Sequence, residues 1–173
     1  MPLNPTLLRA FYFEIKTQCG FALVAADGIG LALQTPDVER IFYSIQAFLV
    51  ATANLSKILW PSHPAIPSRG AQLRSNLGVS NTSPLKLRDL RNDFEHYDER
   101  LEQWARSSTR HNLADMNIDS GRRIQGLDPG DYMRNFNPTN YNVSFRGISY
   151  DLRPVIAEVD TLLRRVTAEI NRL

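Results

Sequence analysis

Two long apolar stretches separated by one short break, Thr35-Pro36-Asp37, constrain this chain more than any other feature. Before the break, apolar residues recur at helical spacing over about residues 5–33, with Leu7, Leu8, Phe11, Ile15, Phe21, Leu23 and Val24 on one side. After it, Ile41, Phe42, Ile45, Phe48, Leu49 and Ala53 repeat in the same way as far as Leu59. The break itself reads as a helix start: Thr35 can cap, and proline at the first helical position lacks only an N–H that would be unpaired there anyway. One-sided helices of this length need further helices to cover them. The expected fold class is therefore mainly α, an antiparallel helical bundle of four to five helices.

Glycine modulates the first stretch. Gly20, Gly28 and Gly30 each weaken a helix by up to about 1 kcal/mol relative to alanine, so a break or kink is expected near Gly28. The same small residues would let a neighbouring helix approach closely. The second helix must stop at Pro61, Pro64 and Pro67, which exclude regular helix. A short amphipathic turn is expected over residues 71–77. Ser80-Asn81-Thr82-Ser83-Pro84 then opens a third long helix, reaching about Arg106.

Residues 107–149 are polar, rich in Asn, Asp, Gly and Arg. Within them, residues 132–136 and 141–144 flank Asn137-Pro138-Thr139-Asn140, the pattern of a hairpin. A last helix starts at Asp151 or Arg153, with Val155, Val159, Leu162, Leu163, Val166 and Ile170 at helical spacing. The chain of 173 residues thus reads as a single helical domain over residues 1–173, with a small extended or hairpin insertion at about 107–150 before the final helix.

Composition excludes several classes. A net charge of +2 does not announce a polyanion partner, and lysine occurs only at Lys16, Lys57 and Lys86. The arginine bias suits phosphate contacts and equally a GC-rich genome, and the genome is the preferred explanation. The single cysteine, Cys19, excludes an internal disulfide framework and a cysteine metal cluster, and it reads as a small buried hydrophobe. The apolar run at residues 19–33 carries Asp27 near its middle, so a buried helix is preferred to a membrane span, with Asp27 bonded to a neighbouring helix. Met1-Pro2-Leu3-Asn4-Pro5 lacks a basic leader, and a cytoplasmic location without a membrane is expected. Gly28-Ile29-Gly30 is no dinucleotide fingerprint, and His63 and His111 have no partners nearby in sequence.

The chemistry concentrates in the third long helix, residues 85–104. It carries Arg91 and His96 five positions apart, with Asn92 directly after the arginine. A guanidinium can hold and neutralise a phosphate, and an imidazole can move protons near neutral pH. On an unbroken helix Leu87, Leu90, Phe94, Leu101 and Ala105 form the apolar stripe, with Tyr97 and Trp104 at its edge. Arg91 then lies roughly 80° from the stripe centre, and His96, about 140° further round the polar arc, lies roughly 140° from that centre on its other side. Arg88, Asn92, Glu95, Glu99 and Gln103 share that polar arc, while Asp93 and Asp98 add further negative charge around His96.

The R-N-x-x-x-H spelling resembles the signature of the HEPN superfamily, helical domains many of which are ribonucleases. What the resemblance implies is a metal-independent, cofactor-free endoribonuclease working as a homodimer, with two motif helices facing one cleft. Arg91 would position the scissile phosphate or stabilise its charge. His96 would act as base on the ribose 2′-hydroxyl or as acid to the leaving oxygen, and Asn92 would orient one of them. The setting would be that of a toxin with an antitoxin partner, or of an antiviral defence effector. In the HEPN toxins paired with nucleotidyltransferase antitoxins a tyrosine lies two residues after the histidine; here Asp98 takes that place and Tyr97 precedes it.

RNA contacts outside the cleft would come from Arg88 and from the polar insertion, where Arg122, Arg123 and Arg134 are interleaved with Tyr132 and Tyr141. Arginines on phosphates beside aromatics on bases are the ingredients of single-strand binding. Two other readings stand beside the nuclease. One is a non-catalytic interaction or oligomerisation module, in which Arg91 merely pairs with Glu95 on a solvated helix face and His96 pairs with Arg100 or with nothing. The other is a small-molecule binder in the bundle near Asp27.

Overall fold

The computed structural model describes residues 2–35, 37–119 and 124–172. Three long helices form the frame: α1 (Pro5–Gln34, 30 residues), α2 (Val38–Leu59, 22 residues) and, at the other end of the chain, α6 (Arg153–Ile170, 18 residues). Between α2 and α6 lie three short helices, α3 (Arg69–Asn76), α4 (Asp89–Glu95) and α5 (Tyr97–Ser107), and a four-stranded sheet. The protein is mainly helical without being a pure bundle.

Local chemistry sets the helix ends. The Asn4 side chain accepts from the Leu7 N–H at 2.8 Å, with Pro5 at the first turn. Asp37, rather than Thr35, caps α2 by accepting from the Arg40 N–H at 2.9 Å, and Thr35 instead closes α1. Gln18 bonds Asn54 while Gly28 faces Ser44, so α1 and α2 run antiparallel along most of their length. α1 does not break at Gly28. A Cβ there would lie 2.8 Å from the Ser44 hydroxyl, so this glycine permits close helix approach, the second of the two roles expected for it.

The buried side of α1 is Tyr12, Ile15, Cys19, Ala22, Ala25, Ile29 and Ala32, a narrow stripe of mostly small residues. Phe21 and Val24, expected to be inside, are 60% and 72% exposed. The i, i+3, i+4 progression through the alanines displaces them, because α2 can approach closely only over small side chains. Asp27 is exposed rather than buried, which removes the basis for a polar site in the bundle. Ile41, Phe42, Ile45, Phe48, Leu55 and Leu59 of α2, and Val159, Leu162 and Val166 of α6, join the buried stripe of α1 in the core. Cys19 is fully buried, and burial pushes its thiol pKa up to about 12. α2 is the described helix long and apolar enough to cross a membrane, and most of it is buried within the fold.

The insertion is richer than one hairpin. β1 (Asn117–Ile118) pairs in parallel with β2 (Arg134–Asn137), which pairs antiparallel with β3 (Asn142–Phe145), and β3 pairs antiparallel with β4 (Ile148–Asp151). The β2–β3 hairpin is the expected one. The β3–β4 hairpin turns on Arg146 (φ 47°) and Gly147 (φ 84°), the two positive φ values that a type I′ turn requires. Phe136, Val143 and Phe145 point into the core, and Phe145 meets Phe94 and Tyr97 at centroid distances of 5.9 and 6.3 Å. The sheet is thereby docked onto α4 and α5.

Candidate functional site

The expected long motif helix is three pieces. A single turn of 3-10 helix (Pro84–Lys86), started by the Ser83 side chain, leads into extended backbone at Leu87, and only then does α4 begin. His96, with φ −101° and ψ 37°, is the non-helical joint between α4 and α5. Two consequences follow. Leu87 and Ala105, placed on the apolar stripe by an unbroken helix, are exposed, whereas Leu90, Phe94 and Trp104 are buried. The joint at His96 also interrupts the polar arc that an unbroken helix would carry from Arg91 to His96.

Arg91 is half-buried and tied down locally. Its Nη2 lies 2.5 Å from Glu95 Oε1, its Nη1 donates to Asn92 Oδ1 at 3.1 Å, and its Nε–H is buried without an acceptor. Arg91 lines a mainly apolar cavity of about 310 Å³ between α2, the start of α4 and the β4–α6 junction, together with Phe48, Leu87, Asp89, Tyr150 and Asp151. Tyr150 is pushed above the usual phenol range, first by burial and then by Asp93 and Asp89. Of these two carboxylates, Asp93 is itself paired with Arg100.

His96 is not part of that cavity. Its side chain is 53% exposed, with Nδ1 3.4 Å from Glu99 Oε1. A carboxylate on Nδ1 leaves Nε2 as the free nitrogen. Arg100, a conceivable partner for His96, instead donates to Asp93 at 2.8 Å. The structure thus brings the Arg91 and Asn92 side chains together, while the His96 side chain, at the joint itself, pairs with Glu99.

The outlying candidates have structural engagements. Arg88 donates to the Trp60 carbonyl at 3.0 Å. Arg134 forks onto Asp115 through Nε and Nη2 and lies over the Tyr97 ring at 4.7 Å. Burial raises the Asp115 carboxyl, but the Arg134 fork outweighs it and the pKa falls below the usual range. Tyr132 accepts the Ile124 N–H through its hydroxyl, and Tyr141 packs edge-on against Phe136. Arg122 and Arg123 lie outside the described residues.

Sequence reasoning missed Asp131. Its buried carboxylate accepts from the Asp128 N–H, Trp104 Nε1 and Ser108 Oγ, and these bonds hold its pKa low, the Asp128 amide foremost. It ties the end of α5 to the sheet. The signal was the Asp128-Pro129-Gly130-Asp131 turn, whose importance depends on a tryptophan far away in sequence. Among the described residues no group of three or more His, Cys, Asp or Glu side chains gathers to hold a metal ion.

The chain matches no known protein family, no curated protein and no solved structure, so functional assignment rests on its own residues.

Proposed function

We propose that the chain is a HEPN-type, metal-independent endoribonuclease that acts as a homodimer through Arg91, Asn92 and His96. The observation that carries the reading is the state of two polar side chains, Arg91 within α4 and His96 at the α4–α5 joint. Arg91 keeps a buried donor, Nε–H, without an acceptor, and His96 presents a half-exposed ring whose Nδ1 is held by Glu99. A phosphate would take the place of Glu95 on Arg91, exchanging one charge-assisted bond for another. Nε2 of His96 would accept the proton of the ribose 2′-hydroxyl. The 2′-oxygen then attacks phosphorus, the bond to the 5′-oxygen breaks, and the proton passes to that leaving oxygen. A 2′,3′-cyclic phosphate and a 5′-hydroxyl result, with Asn92 keeping the guanidinium in plane.

In this reading a second copy would close the site. The exposed apolar residues of α1, Phe21, Val24 and Leu31, offer a face for it. The biological setting proposed is cytoplasmic, as a toxin with an antitoxin partner or as a defence effector.

A specific observation favours a second reading, a non-catalytic helical interaction module. The Arg91–Glu95 pair closes within the chain, and Glu95 and Asp89 beside Arg91 make the surroundings poor for a phosphate. Incubating mixed RNA with the purified protein in EDTA, beside His96→Ala and Arg91→Ala, separates the two. Cleavage by the wild type alone, with both variants melting normally, supports the nuclease. Cleavage by none of them, or by all three equally, discards it in favour of the module.

A further inference from the structure

The outer face of the sheet carries a second site. Side chains alternate strictly across the four strands. Ile118, Phe136, Val143 and Tyr150 form one rung toward the core, and the neighbouring rung, Asn117, Asn135, Ser144 and Ser149, faces the other way. Asn137 and Asn142, paired directly, continue that outer face. Asparagine is depleted in strands because its short amide competes with the backbone and packs poorly on a pleated surface. Four asparagines on one face of so small a sheet oppose local propensity, and such conflicts are expected where function demands the residue.

These residues line an open cavity of about 340 Å³, closed on one side by Pro129 and Tyr132 from the preceding loop. That volume is in the range of small-molecule sites, roughly 300–1,000 Å³. The amides are pre-oriented: Asn117 Nδ2 donates to Asn135 Oδ1 at 2.5 Å, and Asn135 Nδ2 donates onward to Ser144 Oγ at 3.2 Å. Each amide nitrogen in this relay retains a second N–H, and Ser144 retains its hydroxyl proton. Asn142 Oδ1 is buried without any partner.

Among the described residues the lining holds no lysine or arginine and does hold one carboxylate, Asp119, which disfavours a phosphate. It offers one aromatic ring, where a nucleobase would be held between two stacking faces. A neutral sugar fits better. Its vicinal hydroxyls both donate and accept, matching amide and hydroxyl side chains, while its C–H face rests on Pro129 and Tyr132. We propose that this asparagine-lined face binds a neutral saccharide, independently of the motif at Arg91 and His96.

The test is calorimetric titration of the intact chain with maltotriose, cellotriose and triacetylchitotriose, with adenosine as comparator. The expected result is saturable binding of at least one trisaccharide, with Kd of millimolar order or tighter. Asn135→Ala should weaken it by about tenfold or more, the loss of one to two hydrogen bonds. Asn137→Ala serves the same purpose should Asn135→Ala fold poorly by its thermal melt, and Arg91→Ala should leave sugar binding unchanged. Binding of adenosine instead, no saturable binding of any trisaccharide, or undiminished binding by a folded asparagine variant would each overturn the proposal.

Discussion

Replacing Phe145 with alanine isolates the contact that docks the sheet on the α4–α5 joint. Phe145 is 2% exposed and meets the rings of Phe94 and Tyr97, the residues on either side of the joint at His96. Truncating a buried phenylalanine costs about 3–5 kcal/mol from lost transfer energy and the cavity left behind. The two ring contacts place the expected value near the middle, about 4 kcal/mol. Its cross-strand neighbour Ile148 is a built-in control, since it sits opposite Phe145 in the β3–β4 pair yet is 59% exposed. Ile148→Ala should cost no more than about 0.5 kcal/mol. Urea unfolding followed by tryptophan fluorescence reads both values, with an unchanged m-value confirming that compactness is preserved. The corresponding fall in Tm is about 8–16 °C for Phe145→Ala. A loss below about 1 kcal/mol, or one equal to that of Ile148→Ala, would refute the docking described here.

Other expectations follow from the same packing. Gly20 has open space around its missing Cβ, so Gly20→Ala should stabilise by about 0.5–1 kcal/mol in thermal melts, whereas Gly28→Ala should not, because its Cβ would meet Ser44. Cys19, buried with a thiol pKa of about 12, should resist iodoacetamide at pH 8 in the native protein and react promptly in urea; equal rates would contradict its burial. Asp115 and Asp131 have folded pKa values below their unfolded ones, so their stabilisation is present above about pH 4 and is lost as pH falls through the folded values. Asp115→Asn should lower stability at pH 7 and flatten the acid limb of a pH–stability profile; an acid limb as steep as the wild type's would show that Asp115 does not set it.

The long helices were legible because their signals are local. Caps, helical spacing and the proline stops mark α1, α2 and α6 to within a few residues. Which side of α1 is buried was not legible, since hydrophobicity favours Phe21 and Val24 whereas close packing against α2 favours the alanines and Gly28. The joint at His96 was hidden for a related reason. Residues 84–106 satisfy a helical wheel throughout, and only the sheet, through Phe145 against Phe94 and Tyr97, gives tertiary cause to bend them. At the candidate site, the Arg91–Glu95 pair was foreseeable from i,i+4 spacing, but the Glu99–His96 contact depends on the bend. The β3–β4 hairpin had a cue in Arg146-Gly147, although an arginine at positive φ is uncommon.

Analysis of the product ends is the measurement that bears most directly on the proposed chemistry. RNA incubated with the protein in EDTA should yield 2′,3′-cyclic phosphate and 5′-hydroxyl ends, absent with His96→Ala and absent when the substrate lacks its 2′-hydroxyls. Fragments ending in 3′-hydroxyls, cleavage of the 2′-deoxy substrate, or intact RNA throughout would contradict the role given to His96.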